Sequence, residues 1–325
     1  MDDLDLEEIE EFSKSAGKEF KWAALGYYGG KYNALRGLLK YFPLVTSHTT
    51  YVEPFAGSSV VAINYNPVIS ILNDGDKELT NFLRIFLSAK AWQSLQDYPE
   101  APEEVKSQWR AEAWKWDLFQ TIIANICRAK ELYDWMSEMA EIDPVVCAAV
   151  KYYIGNRNNF SNIPKDGFDY IQARRKPFGE YHYQHYKNFC LTRDVRVWNL
   201  DFEDCIDRVR EWVESNQGSV FLYADPPYLK EQGYVLRFRK RDLYRLAACL
   251  GFYPHHWLMS NEDSPIVRRV FKGCYMKKVR WAYTCAAGCT TTGRHELLIS
   301  NRPFVKRSAK GRDIREFMKE ANKND

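Results

Sequence analysis

Short apolar runs that each stop at a turn or a polar residue constrain this chain most. They are residues 50–55 (TYVEPF), 67–72 (PVISIL), 195–200 (VRVWNL), 220–224 (VFLYA), 256–260 (HWLMS), 275–281 and 296–300 (ELLIS). Runs of this length, rich in β-branched and aromatic residues, read as buried strands. Helical stretches lie between several of them. Residues 33–41 carry Leu35, Leu38 and Leu39 on one face and end before Pro43. A second helix is expected from about 78 to 87. Strands alternating with helices predict a layered α/β sheet of the Rossmann-like kind. Ligands of such sheets sit beyond the carboxyl ends of the strands, so the residues just after each run carry the functional information.

The alternation lapses between residues 88 and 189. Helical periodicity persists there, with frequent Trp, Lys, Arg and Asn. This predicts a mainly helical insertion within one catalytic unit formed by 25–87 and 190–305. Residues 1–24 read as an acidic, poorly ordered lead-in and 306–325 as a polar tail. The opening MDDLDLEEIEEF is acidic, unlike the basic start of a secretory signal, and no apolar run reaches membrane-spanning length. A cytoplasmic protein is expected. The eight Cys form no CxxC pair, and Cys285 and Cys289 lack a second ligand pair nearby. Reduced thiols and no metal follow. A net charge of +3 implies little about polyanionic partners, so any such contact must rest on local patches.

Three clusters follow strands. The first is Glu53-Pro54-Phe55-Ala56-Gly57-Ser58-Ser59, whose small residues let a ligand approach the backbone closely. Taken alone it also fits a simple tight turn. The second is Asp74, 17 positions beyond Gly57, close to the spacing at which nucleotide-binding units place a ribose-binding carboxylate. Asp76 is an alternative at the same turn. The third is Asp225-Pro226-Pro227-Tyr228. Two prolines stiffen the backbone and remove two donors, leaving carbonyls, one carboxylate and an aromatic ring. Such a group suits a planar ring bearing an amino group.

These residues resemble the Dam-like, D12 class adenine-N6 DNA methyltransferases. Gly29-Gly30-Lys31 resembles the family's N-terminal motif. Residues 51–59 resemble its cofactor motif, with Ser58-Ser59 in place of the usual glycine pattern. Asn73-Asp74, Asp201-Phe202, DPPY, Ser260-Asn261 and 296–301 (ELLISN) follow in the family's order. The resemblance covers most of the chain and implies S-adenosyl-L-methionine as cofactor, double-stranded DNA as partner, and no metal. It implies that Tyr27, Lys31, Asp74 and Asp225 line the cofactor site. Glu53, Phe55, Ala56, Gly57, Ser58 and Phe202 join them, with the turn at 57–59 near the methionine part and Asp201 on the cofactor adenine. It gives Asp225, Pro226, Pro227 and Tyr228 the catalytic role on a flipped-out adenine.

Arg157 and Asn158, Arg174 and Arg175, and Lys230, Arg237 and Arg239 are the expected DNA contacts, since Arg and Asn suit base edges and phosphates. The insertion departs from that of GATC-methylating members, so no target sequence is implied. Cytosine N4 or RNA as substrate, protein glutamine methylation, and an inactive DNA-binding subunit are the rivals. Glutamine methylases begin the comparable motif with Asn, against which Asp225 speaks. A separately encoded restriction endonuclease and a monomer or weak dimer complete the expectations.

Overall fold

The computed structural model describes residues 25, 30–45, 49–126, 143–158, 189, 191, 193–216, 219–229, 237–283 and 292–304. After a 3-10 turn at Lys31–Asn33, α1 spans Leu35–Leu38, and a second such turn, Leu39–Tyr41, continues it. There follow β1 (Thr49–Glu53), α2 (Val60–Tyr65), β2 (Ile69–Asn73), α3 (Lys77–Asp97), α4 (Glu103–Ile126) and α5 (Pro144–Asn158). The chain then returns to the sheet with β3 (Asp194–Trp198), α6 (Phe202–Asn216), β4 (Ser219–Ala224), α7 (Lys240–Gly251) and β5 (His256–Glu262). It ends with α8 (Pro265–Val270), β6 (Tyr275–Tyr283) and β7 (Thr292–Ser300).

The strands form one seven-stranded sheet in the order β3-β2-β1-β4-β5-β7-β6. β3 through β5 are parallel, and β7 inserts antiparallel between β5 and β6. This is the α/β sheet predicted from the apolar runs, and it has the strand arrangement of a Rossmann-like methyltransferase fold.

Side chains alternate between the faces of a strand, so each central strand serves two cores. Phe221 and Tyr223 of β4 pack with α1 to α5, while Val220, Leu222 and Ala224 pack with α6, α7 and α8. Strands buried on both sides need unbroken apolar runs, and VFLYA is one.

The second helix is longer than expected. α3 runs to Asp97 rather than ending near residue 87. The shift to polar residues beyond 87 is not a stop signal; the first true breaker is Pro99. Trp116 and Phe119 of α4, and Val146, Val150, Tyr152 and Tyr153 of α5, share one core with Leu79 and Phe82 of α3 and Leu72 of β2. The described part of the helical region thus packs onto the sheet's own core. No helix among the described residues is long and apolar enough to cross a membrane.

Candidate active site

β1, β2 and β3 step outward in one direction, and the chain then returns to place β4 on the other side of β1. Strand order therefore switches between β1 and β4, and a crevice opens at their carboxyl ends. A cavity of about 360 Å³ occupies that position. Glu53 and Phe55 to Ser58 line it from the end of β1, and Asp74 from the end of β2. Asp201 and Phe202 line it from the start of α6, Asp225 and Pro227 from the end of β4, and Lys31 from the N-terminal 3-10 turn. Residues nearly 200 positions apart thus converge because each follows or faces a strand of the switch point.

The turn after β1 is shaped by its backbone. Gly57 has φ 50° and Ser59 φ 55°, both left-handed. Glycine adopts that conformation without steric cost; Ser59 does not, and it is held by its N–H bonding Ala56 O at 2.7 Å. Asp74 grips the same turn, its Oδ2 accepting from Gly57 N at 3.0 Å and its Oδ1 from Asp76 N at 2.9 Å. Each carboxylate oxygen has a second lone pair for a ligand hydroxyl. Burial raises the Asp74 carboxyl to about 6, against the lowering effect of these N–H donors. Asp76, the alternative ligand, caps α3 instead, accepting from Glu78 N and Leu79 N.

Asn73 ties three strand ends together. Its Nδ2 donates to Pro54 O at 3.0 Å and Leu200 O at 3.1 Å, and its Oδ1 accepts from Leu200 N at 3.0 Å. Asn73→Ala leaves buried backbone groups without these partners and is expected to cost about 2–3 kcal/mol. Urea unfolding followed by far-ultraviolet dichroism measures it; a loss below about 0.5 kcal/mol contradicts the clamp.

A charged cluster forms the floor. Lys31, only 3% exposed, places Nζ 2.8 Å from Asp225 Oδ1 and 3.6 Å from Glu296 Oε1 of β7. The same Nζ donates to Tyr228 Oη at 2.9 Å. Ser260 Oγ donates to Asp225 Oδ1 at 2.7 Å. Burial pushes the Asp225 carboxyl above its ordinary range; Lys31 and Ser260 oppose this and Glu296 adds to it. Glu53, hydrogen-bonded by Tyr51 Oη, is raised further, to about 8, by burial and by the nearby Asp225.

The opposite wall is aromatic. Phe55, Phe202 and Phe238 have ring centroids 5.2 to 6.1 Å apart. Arg245 of α7 lies 4.7 Å over the Phe202 ring and bonds Asp201 Oδ1 at 2.7 Å and Glu203 Oε2 at 2.6 Å. Asp201 is thereby held at the rim.

Most expected cofactor residues therefore meet in one cavity. Pro226 and Tyr228 lie beside it, Tyr228 against Lys31. Among the expected DNA contacts, Arg237 lines the mouth and Arg239 is exposed just before α7. Arg157 and Asn158 lie in the last turn of α5, with side chains outside the description. Tyr27, Arg174, Arg175 and Lys230 lie outside the described residues. Sequence reasoning missed Tyr223, Arg245 and Glu296 as site residues, and it took Ser260 only as part of a late strand. A polar residue closing or opening an apolar strand, as in HWLMS and ELLIS, was the available signal for Ser260 and Glu296. Arg245 had none, because only the packing of α7 on α6 brings it to Asp201. No group of three or more His, Cys, Asp or Glu side chains that could hold a metal ion occurs among the described residues.

Comparison with known proteins agrees with this geometry. The chain is 26% identical over 220 residues to the modification methylase StsI of Streptococcus sanguinis, an alignment covering 67% of this chain and 30% of that protein. The chain thus spans less than a third of that relative's length. Residues 27–285, which include every lining strand end, match the D12 class N6 adenine-specific DNA methyltransferases. The chain belongs to that family.

Proposed function

We propose that this chain transfers a methyl group from S-adenosyl-L-methionine to N6 of an adenine swung out of double-stranded DNA. The observation that carries the reading is Asp225 at the switch point, with two donors on Oδ1 and a Pro-Pro backbone beside it.

The cavity suits the cofactor on three counts. Its volume falls in the small-molecule range. The Phe55, Phe202 and Phe238 wall suits a nucleobase, and Asp74 suits ribose hydroxyls. Glu53 and Asp225 offer carboxyl groups to a cationic methionine part. When bound, the cofactor supplies a methyl group made electrophilic by a sulfonium. Lys31 and Ser260 both address Asp225 Oδ1, so Oδ2 is the oxygen directed to the target amino group. It and the Pro226 carbonyl accept hydrogen bonds from the two N6 hydrogens, draw the nitrogen toward a tetrahedral shape and stabilise its developing positive charge, and one N6 proton passes to solvent once the methyl is in place. Holding N6 in line with the methyl adds the proximity effect.

A duplex hides N6, so the base must leave the stack. Tyr228 is the stacking partner, and Arg237, Arg239, Lys240 and Arg241 beside the mouth hold phosphates. All four are exposed, and Arg237 and Arg241 line the cavity. The helical region within 88–189 supplies target recognition in this reading.

The test incubates the protein with unmethylated genomic DNA and cofactor carrying a labelled methyl group, then digests the DNA and identifies the modified nucleoside by mass spectrometry. N6-methyladenine is expected. N4-methylcytosine, or cofactor binding without transfer to the DNA, overturns the reading.

A further inference from the structure

Asp225 is held by a hydrogen-bond chain that crosses two strands. Ser260 Oγ on β5 donates to Asp225 Oδ1 at 2.7 Å, and Tyr223 Oη on β4 lies 2.7 Å from the same Ser260 Oγ. Ser260 is 0% and Tyr223 1% exposed. A serine hydroxyl has one proton to give. Ser260 directs that proton to Asp225, so Tyr223 is the donor in the second bond. Burial and the nearby Asp225 hold the Tyr223 phenol well above its usual value, so it keeps its proton. The chain therefore runs one way, from Tyr223 through Ser260 to Asp225. Lys31 donates to the same Oδ1 at 2.8 Å. Among the described residues, these contacts to Asp225 all fall on Oδ1.

The geometry points to Ser260, backed by Tyr223, as a positioning residue that fixes Oδ1 of Asp225 as an acceptor and presents Oδ2 to the target amino group. The inference rests on the methyl-transfer reading, and Ser260 itself touches no reacting atom. Its value comes from the charges around Asp225. Lys31 from the N-terminal turn favours the carboxylate and Glu296 from β7 opposes it, while Glu53 from β1 is itself raised to about 8 by burial and by Asp225. Tyr223 and Tyr228 flank it from β4 and the following turn. A carboxylate that burial already disfavours depends on each remaining donor. Without the Ser260 hydroxyl, the protonated form gains, and a protonated Asp225 accepts less well.

Single-turnover methyl transfer to DNA at saturating cofactor, between about pH 5.5 and 9, tests this. In Ser260→Ala the acid limb of the rate profile is expected to move up by about one pH unit. The rate on that limb then falls about tenfold and recovers to within about twofold on the alkaline plateau. Tyr223→Phe should move the limb in the same direction by less, and Ser260→Thr should restore it. A loss in Ser260→Ala that is equal at every pH, an unmoved limb, or a folded Ser260→Thr without rescue overturns the inference. Should Ser260→Ala fail to fold, Tyr223→Phe alone decides by the same criterion. Failure of the unaltered protein to methylate DNA is a failure of the proposed function instead. The chain is then read directly by titrating the Asp225 carboxyl with 13C resonance in the unaltered protein and Tyr223→Phe, and an unchanged midpoint overturns it.

Discussion

Asp225→Ala is expected to abolish methyl transfer, lowering kcat by at least about a thousandfold, while leaving a cooperatively folded protein. The loss follows from removing a preorganised acceptor at the site of developing charge, an interaction of the most costly kind to lose. Folding survives because Lys31 keeps Glu296 and Tyr228 as neighbours, at 3.6 Å and 2.9 Å. Removing a buried carboxylate from beside Glu296 also relieves repulsion and a desolvation cost. Asp225→Asn makes the sharper comparison. Its amide oxygen should face the two donors, Lys31 and Ser260, that now meet Oδ1. The amide NH2 then points where the target amino group needs an acceptor. Asn is therefore expected to be nearly as inactive as Ala, despite its matching shape. Rates from tritiated methyl transfer, with thermal unfolding as the folding control, check both variants. Turnover by Asp225→Asn near that of the unaltered protein would sink the assignment of Oδ2 as the working oxygen.

Lys31→Met is expected to produce the largest loss of stability among single changes at the site. Lys31 is the cation that touches both Asp225 and Glu296; Lys31 and Glu296 are buried, and Asp225 is largely so, with 19% of its side chain exposed. Breaking a buried pair by removing one partner costs about 3–5 kcal/mol, because the remaining charge lies in a poor solvent. For a chain of this size that lowers Tm by roughly 4–7 °C. The deficit should depend on pH in a definite direction. The Asp225 carboxyl already stands above its ordinary value in the folded state, and losing Lys31 raises it further. The folded protein then binds more protons than the unfolded chain between the two values, so stability falls as pH rises through that window. The deficit should be small near pH 4 and largest above the raised folded value. Calorimetry at about pH 5 and about pH 8 reads the difference. An equal deficit at both pH values would mean that Lys31 contributes packing rather than charge. The same variant should lose methyl transfer, since losing Lys31 raises the Asp225 carboxyl further and takes away a donor that holds Oδ1.

The apolar runs placed every strand to within a few residues, the central ones because a strand buried on both faces must be apolar along its length. TYVEPF became β1, VFLYA became β4 and ELLIS became the end of β7. Strand ends were legible too, so Glu53, Asp74 and Asp225 stood out as polar groups closing apolar runs. The length of α3 was not. Helical periodicity continues through its second half, but Lys90, Gln93 and Asp97 made that stretch read as part of the insertion rather than of the helix before it, although no breaker occurs before Pro99. Packing against α4 and α5 settles it, which periodicity within one segment does not register.

The sequence by itself determined the α/β sheet, the order of the motifs and the residues at the strand ends. Local periodicity and the chemistry of the DPPY turn suffice for those. Only the tertiary structure decided which residues surround Asp225. Sheet order brings β5 beside β4 and β7 beside β5, so Ser260 reaches Asp225 and Glu296 reaches Lys31. Position along the chain leaves those neighbours undefined, because strand pairing is set by how the two cores close over the sheet. The electrostatic state of Asp225 depends on that closure, since burial and the charges it assembles set the balance.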